Sequence, residues 1–258
     1  MRSPSASELL NIWERGLYQA PVHRALNLLA AAYPECSLDQ LASLSLGQRD
    51  GLLLALQASL FGSQITGLAT CPHCGDRLEL TFAVADLQME TRSDMPLETA
   101  AVGVKAFEAY TVEFRLPNSL DLLAVADQSN ADSINADQPN IDQIRQQLLD
   151  RCLLVQQGDR SMSVGDLPAS VLEAVVAEME QADPQANVQL ALACPACGYE
   201  WQTLFDILSF LWSKLHVWAR RTLQEVHRLA AAYGWRESEI LALSAKRRQL
   251  YLEMIGYE

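Results

Sequence analysis

The sequence offers no apolar run that could span a bilayer. Its most apolar later stretch, Ile207 to Ala219, is interrupted by Lys214 and His216 and falls short of the roughly 20 residues that a spanning helix needs. The opening Met-Arg-Ser-Pro-Ser-Ala-Ser-Glu has no apolar stretch of the signal-peptide kind. The expectation is a soluble chain made in the cytoplasm, with no membrane insertion. Basic charge is also short, at 19 Lys and Arg against 32 Asp and Glu, a net of -13. Such a chain repels a phosphate backbone over most of its surface, so nucleic acid is an unfavoured partner. Enzymatic signatures are missing: there is no G-x-S-x-G elbow, Walker loop, H-E-x-x-H or dinucleotide fingerprint. The four histidines, His23, His73, His216 and His227, are scattered. No catalytic residue and no small-molecule substrate are expected.

What is present is a chain of 258 residues, half of them hydrophobic. That suffices for a sizeable core and excludes a disordered tail, a collagen-like fibre and a disulfide miniprotein. The charge is unevenly spread. Residues 75–193 hold 20 acids and 7 bases, whereas the rest of the chain is neutral. These acids have no recognisable partner base and are expected to form a solvated face. The Asp127 to Asp137 stretch lacks the glycine and terminal glutamate of a calcium loop.

The first 65 or so residues have helical patterning. Ser7 is a candidate cap for a helix from Glu8. Pro21 opens another, with Leu26, Leu29, Ala30 and Tyr33 on one face, and Pro34 stops it. Ser37 can cap Leu38 to Leu44, and Ser45 with Gln48 forms a capping box for a helix to about Phe61. Strand-like alternation follows at Leu78, Leu80, Phe82 and Val84, and returns at Val188, Leu190 and Leu192. Between them, Tyr110 to Leu116 reads as a strand. Leu120 to Ala126, Ile141 to Leu154 and Leu167 to Gln181 read as helices, and Asp127 to Pro139 as a mobile loop. Phe205 to Tyr233 predicts one long helix ended by Gly234, with two short helices after it.

The strongest chemical signal is a pair of turns, Cys71-Pro72-His73-Cys74-Gly75 and Cys194-Pro195-Ala196-Cys197-Gly198. Two residues between cysteines let both thiolates of a tight turn face one ion. The following Gly lets the backbone turn left-handed, so that amides can face the sulfurs. Together the turns supply four sulfurs, the tetrahedral shell of one structural zinc ion. The pattern looks like a zinc ribbon, although 119 residues separate its halves. A redox dithiol is the competing reading, with His73 a lesser candidate ligand. Cys36 and Cys152 lie in helical patterns and are expected to be buried apolar residues.

Two further features suggest contacts. Lys246-Arg247-Arg248 follows Ser244, so a helix capped there has three cations at its positive end. Either the basic turn is simply solvated, or the acidic insert, a partner protein or nucleic acid compensates it. Trp212 and Trp218, six apart on the long helix, point to different sides, and one is a candidate interface residue. The chain ends also resemble each other. Leu29–Tyr33 (Leu-Ala-Ala-Ala-Tyr) recurs at Leu229–Tyr233, and Arg49, Leu52, Leu53 and Leu56 match Arg248, Tyr251, Leu252 and Ile255. Either two three-helix units flank the centre or alanine-rich helices coincide.

The stretch Leu223 to Ile255, with its Ala-Tyr-Gly-Trp helix end, its Ile240-Leu-x-Leu-Ser244 turn and the basic run before Tyr251, resembles a segment of contractile-tail proteins. These are baseplate and hub-assembly proteins of T-even-like phage tails and of related contractile injection systems. The resemblance implies a non-enzymatic part or assembly chaperone of a baseplate. Its partners would be other baseplate and tail proteins, and it would either stay in a phage-tail-like particle or leave after assembly. The acidic insert departs from the pattern. The expected architecture is α+β, with helical N- and C-terminal regions around a split zinc ribbon with an inserted α/β lobe. The segments are 1–64 (N-terminal helical region), 65–86 (first half of the ribbon), 87–186 (acidic insert), 187–204 (second half) and 205–258 (C-terminal helical region). Metal ligands are Cys71, Cys74, Cys194 and Cys197; partner-binding candidates are Lys246, Arg247, Arg248, Trp212 and Trp218. The alternatives are a zinc-ribbon nucleic-acid or transcription-associated module and a thiol-redox enzyme.

Overall fold

The computed structural model describes residues 1–89, 102–107, 110–132, 141–158 and 160–256. Helices and sheets are mixed, and the chain divides into two compact units, Met1–Glu35 with Ile207–Glu258, and Cys36–Asp206.

The first unit is built on one long helix. It contains α1 (Ala6–Gly16), α2 (Pro21–Ala32), α9 (Ile207–Tyr233), α10 (Glu237–Ala242) and α11 (Ala245–Met254). In α9, Leu208, Leu211, Leu215, Ala219, Thr222, Val226 and Leu229 are buried, at the three- and four-residue spacing that puts them on one face. The helix ends at Gly234, whose φ of 69° is open to glycine at little cost. Val226 and Leu229 then pack with Ile240 and Leu252 from the two short helices. α1 begins earlier than its sequence suggests. The cap is Ser5, whose hydroxyl accepts from the Glu8 amide while the Glu8 carboxylate accepts from the Ser5 amide, so Ser7 lies inside the helix.

The second unit opens with α3 (Leu38–Ser43) and α4 (Leu46–Phe61), capped by Ser37 and Ser45 in capping boxes. Two antiparallel hairpins follow at widely separated positions: β1 (Gln64–Thr70) with β2 (Arg77–Ala83), and β7 (Gln189–Ala193) with β8 (Glu200–Leu204). The intervening region has a four-stranded antiparallel sheet in the order β3 (Val102–Phe107), β4 (Tyr110–Arg115), β5 (Leu153–Gln157), β6 (Arg160–Met162). It also carries α5 (Val84–Leu87), α6 (Ser119–Asp132), α7 (Ile141–Cys152) and α8 (Ala169–Ala182). Val112, Phe114, Leu153 and Val155 face a core closed by Leu149, Leu167 and Val175. Gly103 pairs with Phe114 across β3 and β4, and the Phe114 ring occupies the space that a Cβ at 103 would need.

Three local readings change. The helix expected over Ile141 to Leu154 stops at Cys152, and Leu153 already belongs to β5. The leucines fit a helical period up to that point, and a short apolar run does not distinguish helix from strand. The start of the expected Asp127 to Pro139 loop is helical, since α6 runs through Asp132; residues 133–140 lie outside the described ones. Cys36 is in a turn between α2 and α3 and is half-buried, while Cys152, at the end of α7, is buried.

The element order helix, six-residue helix, Ser-capped helix occurs at both ends of the chain, as α2–α3–α4 and α9–α10–α11. Arg49 and Arg248 are buried at matching positions. Only the second triplet lies within a single compact unit, because α2 belongs to one and α3 and α4 to the other.

Candidate metal centre

A two-stranded hairpin is at best marginally stable in water, and the two hairpins bury few side chains of their own. What lies at their tips is therefore decisive. Each ends in a Cys-x-x-Cys turn with the same backbone geometry. The Cys71 amide donates to the Asp76 carbonyl at 2.8 Å and the Gly75 amide to the Cys71 carbonyl at 2.9 Å; the corresponding Cys194–Tyr199 and Gly198–Cys194 bonds are both 2.8 Å. Gly75 and Gly198 have φ of 76° and 73°, a left-handed region that side chains other than glycine's enter at a cost.

These turns bring Cys71, Cys74, Cys194 and Cys197 together, with all four sulfurs within 4.8 Å of one another. The cross-turn distances are 3.8 Å for Cys71 to Cys197 and 3.6 Å for Cys74 to Cys194. Four sulfurs at about 2.3 Å from a tetrahedral ion lie about 3.8 Å apart, so the spacing fits a four-thiolate shell. Cys71 and Cys194 are buried and pack against Leu78, with Leu80 and Trp201 at the side. His73 stacks on Tyr199 from the other turn, with ring centroids 5.4 Å apart, and Tyr199 stacks on Trp201 at 6.3 Å. The three rings form a lateral brace across the two turns.

The acidity of the thiols follows from this crowding. Burial pushes the Cys71 thiol up, but the Cys74 and His73 amides that donate to its sulfur outweigh it and bring it down to about 7. The Asp76 amide draws Cys74 down, yet the neighbouring sulfurs, Cys197 first, and burial push it up to about 12. The Tyr199 amide acts likewise on Cys197, and Cys74 draws it down too, yet burial and the Cys194 and Cys71 sulfurs raise it on balance. Adjacent thiols cannot all ionise against one another; a divalent cation between them removes that conflict.

The roots of the hairpins are joined by buried and part-buried hydrogen bonds that local sequence patterns do not reveal. The Asp183 carboxylate accepts from the Gly47 amide at 2.9 Å, at the start of α4. Gln185 accepts from the Met89 amide at 2.9 Å and donates to the Leu87 carbonyl at 3.2 Å. The segment leading into β7 is thus fastened both to the helix preceding β1 and to the chain following β2. Phe82 and Phe205 meet edge-to-face at 5.5 Å beside them. No space exists for a side chain at 47, where a Cβ would collide with the Asp183 carboxyl and the Ala186 amide.

The other sequence candidates lie in the first compact unit. Ser244 caps α11, accepting from the Arg247 amide at 3.3 Å. Lys246 and Arg247 are exposed, but Arg248 is buried, donating to Glu225 at 3.2 Å and to the Leu243 carbonyl at 2.7 Å. Its compensating carboxylate thus comes from α9, a source that sequence reasoning did not consider. Trp212 is half-buried against Gly16 and beneath Arg24, whose guanidinium sits 4.6 Å from the ring centroid. Trp218 is half-buried on the same helix. The Cys152 thiol is raised to about 11 by burial and by Asp121, so it is a poor nucleophile.

No described helix is long and apolar enough to cross a membrane. A family model described as T4 bacteriophage base plate protein matches residues 22–212. No curated protein and no solved structure matches significantly. The matched span includes both Cys-x-x-Cys turns and ends at Trp212, before the Leu223 to Ile255 stretch.

Proposed function

The chain belongs to the T4 bacteriophage base plate protein family, and from that premise we propose that it is a non-enzymatic structural or assembly component, chaperone-like in the latter case, of a phage-like contractile tail or injection-system baseplate. One zinc ion held by Cys71, Cys74, Cys194 and Cys197 serves it as a structural fastener. The observation that carries this reading is the closed four-sulfur cluster inside the span matched by the family. Soft thiolates in a tetrahedral set suit zinc, and four protein ligands leave no position for a substrate or an activated water. The ion's chemistry would be confined to holding the two turns together. The chain's own residues do the rest: amides orient the sulfurs, the aromatic rings brace the turns, and Asp183 and Gln185 hold the roots.

The experiment is affinity purification of the chain from its native cell, with mass spectrometry of what accompanies it. Sheath, tube or spike proteins are the expected companions. Recovery of polymerase or nucleic acid alone would replace this reading with the nucleic-acid one.

A further inference from the structure

The four sulfurs of the cluster are unequal. Cys71 and Cys194 are buried, while Cys74 and Cys197 are exposed. Each turn therefore offers one thiolate to solvent and keeps one behind it. Two sulfur contacts have hydrogen-bonding geometry, and both run between the turns. Each joins an exposed cysteine to a buried one: Cys74 to Cys194 at 3.6 Å and Cys197 to Cys71 at 3.8 Å. These separations must shrink to about 2.0 Å for a covalent bond. Bonds formed along them would tie the two hairpins together. Bonds within each Cys-x-x-Cys turn would leave the hairpins unjoined.

We propose that the cluster is a site of oxidative modification, where a peroxide converts the four thiols into two disulfides that cross between the turns, Cys74–Cys194 and Cys71–Cys197. The exposed Cys74 thiolate attacks one oxygen of the peroxide. The O–O bond breaks, hydroxide leaves and Cys74 becomes a sulfenic acid. The buried Cys194 thiolate then attacks the Cys74 sulfur. The S–O bond breaks, a second hydroxide leaves and the S–S bond forms. Two thiolates have lost two electrons, and one peroxide has been reduced to two hydroxides. Cys197 and Cys71 follow in the same way with a second peroxide. The thiolate shell is consumed, yet the hairpins stay joined. The new bonds span 120 and 126 positions. A cross-link over so long a loop restrains the unfolded chain far more than one over the three positions of a Cys-x-x-Cys turn. A compartment that keeps thiols reduced favours the metal, and an oxidising exterior favours the disulfides. That the chain reaches such an exterior in a particle rests on the proposed function; the pairing of the sulfurs does not.

The test is hydrogen peroxide treatment of the full zinc-loaded chain under folded conditions. Released zinc is read with a chelating dye, the linkages by non-reducing peptide mapping with mass spectrometry, and the fold by circular dichroism. Cys36→Ser removes the half-buried thiol outside the cluster. Peroxide should release the zinc and link Cys74 to Cys194 and Cys71 to Cys197. The oxidised chain should stay folded in chelator, and a dithiol reductant added to the same chelator should unfold the unit that holds the cluster. Cys71–Cys74 and Cys194–Cys197 linkages, sulfinic or sulfonic acids in place of disulfides, or unfolding along with zinc release would each overturn the proposal. Crossed disulfides in a chain purified without zinc would uphold the proposal and retire the zinc reading alone. One zinc per chain at the start, with linkages only within the turns, would retire the proposal alone.

Discussion

Replacing Asp183 with Ala tests how two hairpin tips so distant in sequence are made to meet. Each amide at the start of α4 has an acceptor: Leu46 donates to the Pro117 carbonyl at 3.0 Å, Gly47 to Asp183 at 2.9 Å and Gln48 to the Ser45 hydroxyl at 3.1 Å. Asp183→Ala leaves the buried Gly47 amide without one. A charge-assisted bond is worth about 1.5–3 kcal/mol, and the carboxylate at the helix N-terminus adds about 0.3–1 kcal/mol. Against this, Asp50 is pushed up mainly by burial and in part by the nearby charges of Asp206 and Asp183. Removing Asp183 relieves some of that strain. The net loss should be about 2–3 kcal/mol by urea unfolding of the zinc-loaded chain. Asp183→Asn keeps an acceptor oxygen and loses the charge, so it should cost about 1 kcal/mol or less. Asp183→Ala should also speed zinc loss to a chelator, because the segment entering β7 loses an anchor. Equal, negligible costs for both substitutions, below about 0.5 kcal/mol as at ordinary surface sites, would refute the reasoning.

Asp121 makes a prediction about acid. Its carboxylate is buried, which raises its pKa, but Arg115 at 2.6 and 2.7 Å, the Asn118 amide and Arg151 at 2.9 Å outweigh burial and hold it below the usual carboxylate range. A lowered folded-state pKa gives stability that is fully present above the unfolded value near 3.9 and is lost as pH falls through the folded value. Asp121→Asn should therefore destabilise the chain by about 2–3 kcal/mol at neutral pH, less than for a fully buried ion pair because Arg115 and Arg151 are each about a third exposed. It should also flatten the acid limb of a stability-versus-pH curve; an unchanged acid limb would contradict this. Gly198→Ala probes the second turn. A Cβ there meets nothing within 4 Å, so only the φ of 73° opposes it, at about 1–2 kcal/mol. Chelator competition should show weaker zinc binding, and unaltered affinity would mean that the turn does not orient its thiolates.

The parts of this fold that were legible in the sequence are those encoded locally. Cys71, Cys74, Cys194 and Cys197, their following glycines and the alternation on either side lie within short windows, and Ser37, Ser45 and Ser244 each cap a helix that starts at the next residue. The apolar stripe of α9 shows itself by period alone. The bonds that hold the centre together are not of this kind. Asp183 and Gly47 are 136 positions apart and Gln185 and Met89 are 96 apart; neither residue type at either position signals the other. β5 was hidden because Leu148, Leu149 and Leu153 satisfy a helical period as well as the start of a strand. Arg248 looked like a surface cation beside Lys246 and Arg247, since its partner Glu225 lies on another helix. The family was recognisable, but from Leu223 to Ile255, outside the matched residues 22–212; within the matched span, the paired turns were the legible feature.

The most direct test of the central claim is native mass spectrometry of the purified chain, combined with thiol alkylation under folded conditions. The account predicts one zinc per chain, with Cys71, Cys74, Cys194 and Cys197 all protected from alkylation until a chelator is added. Cys194→Ser should lose the metal and the folded state of its unit together. A stably folded, metal-free chain whose four thiols alkylate independently would contradict it.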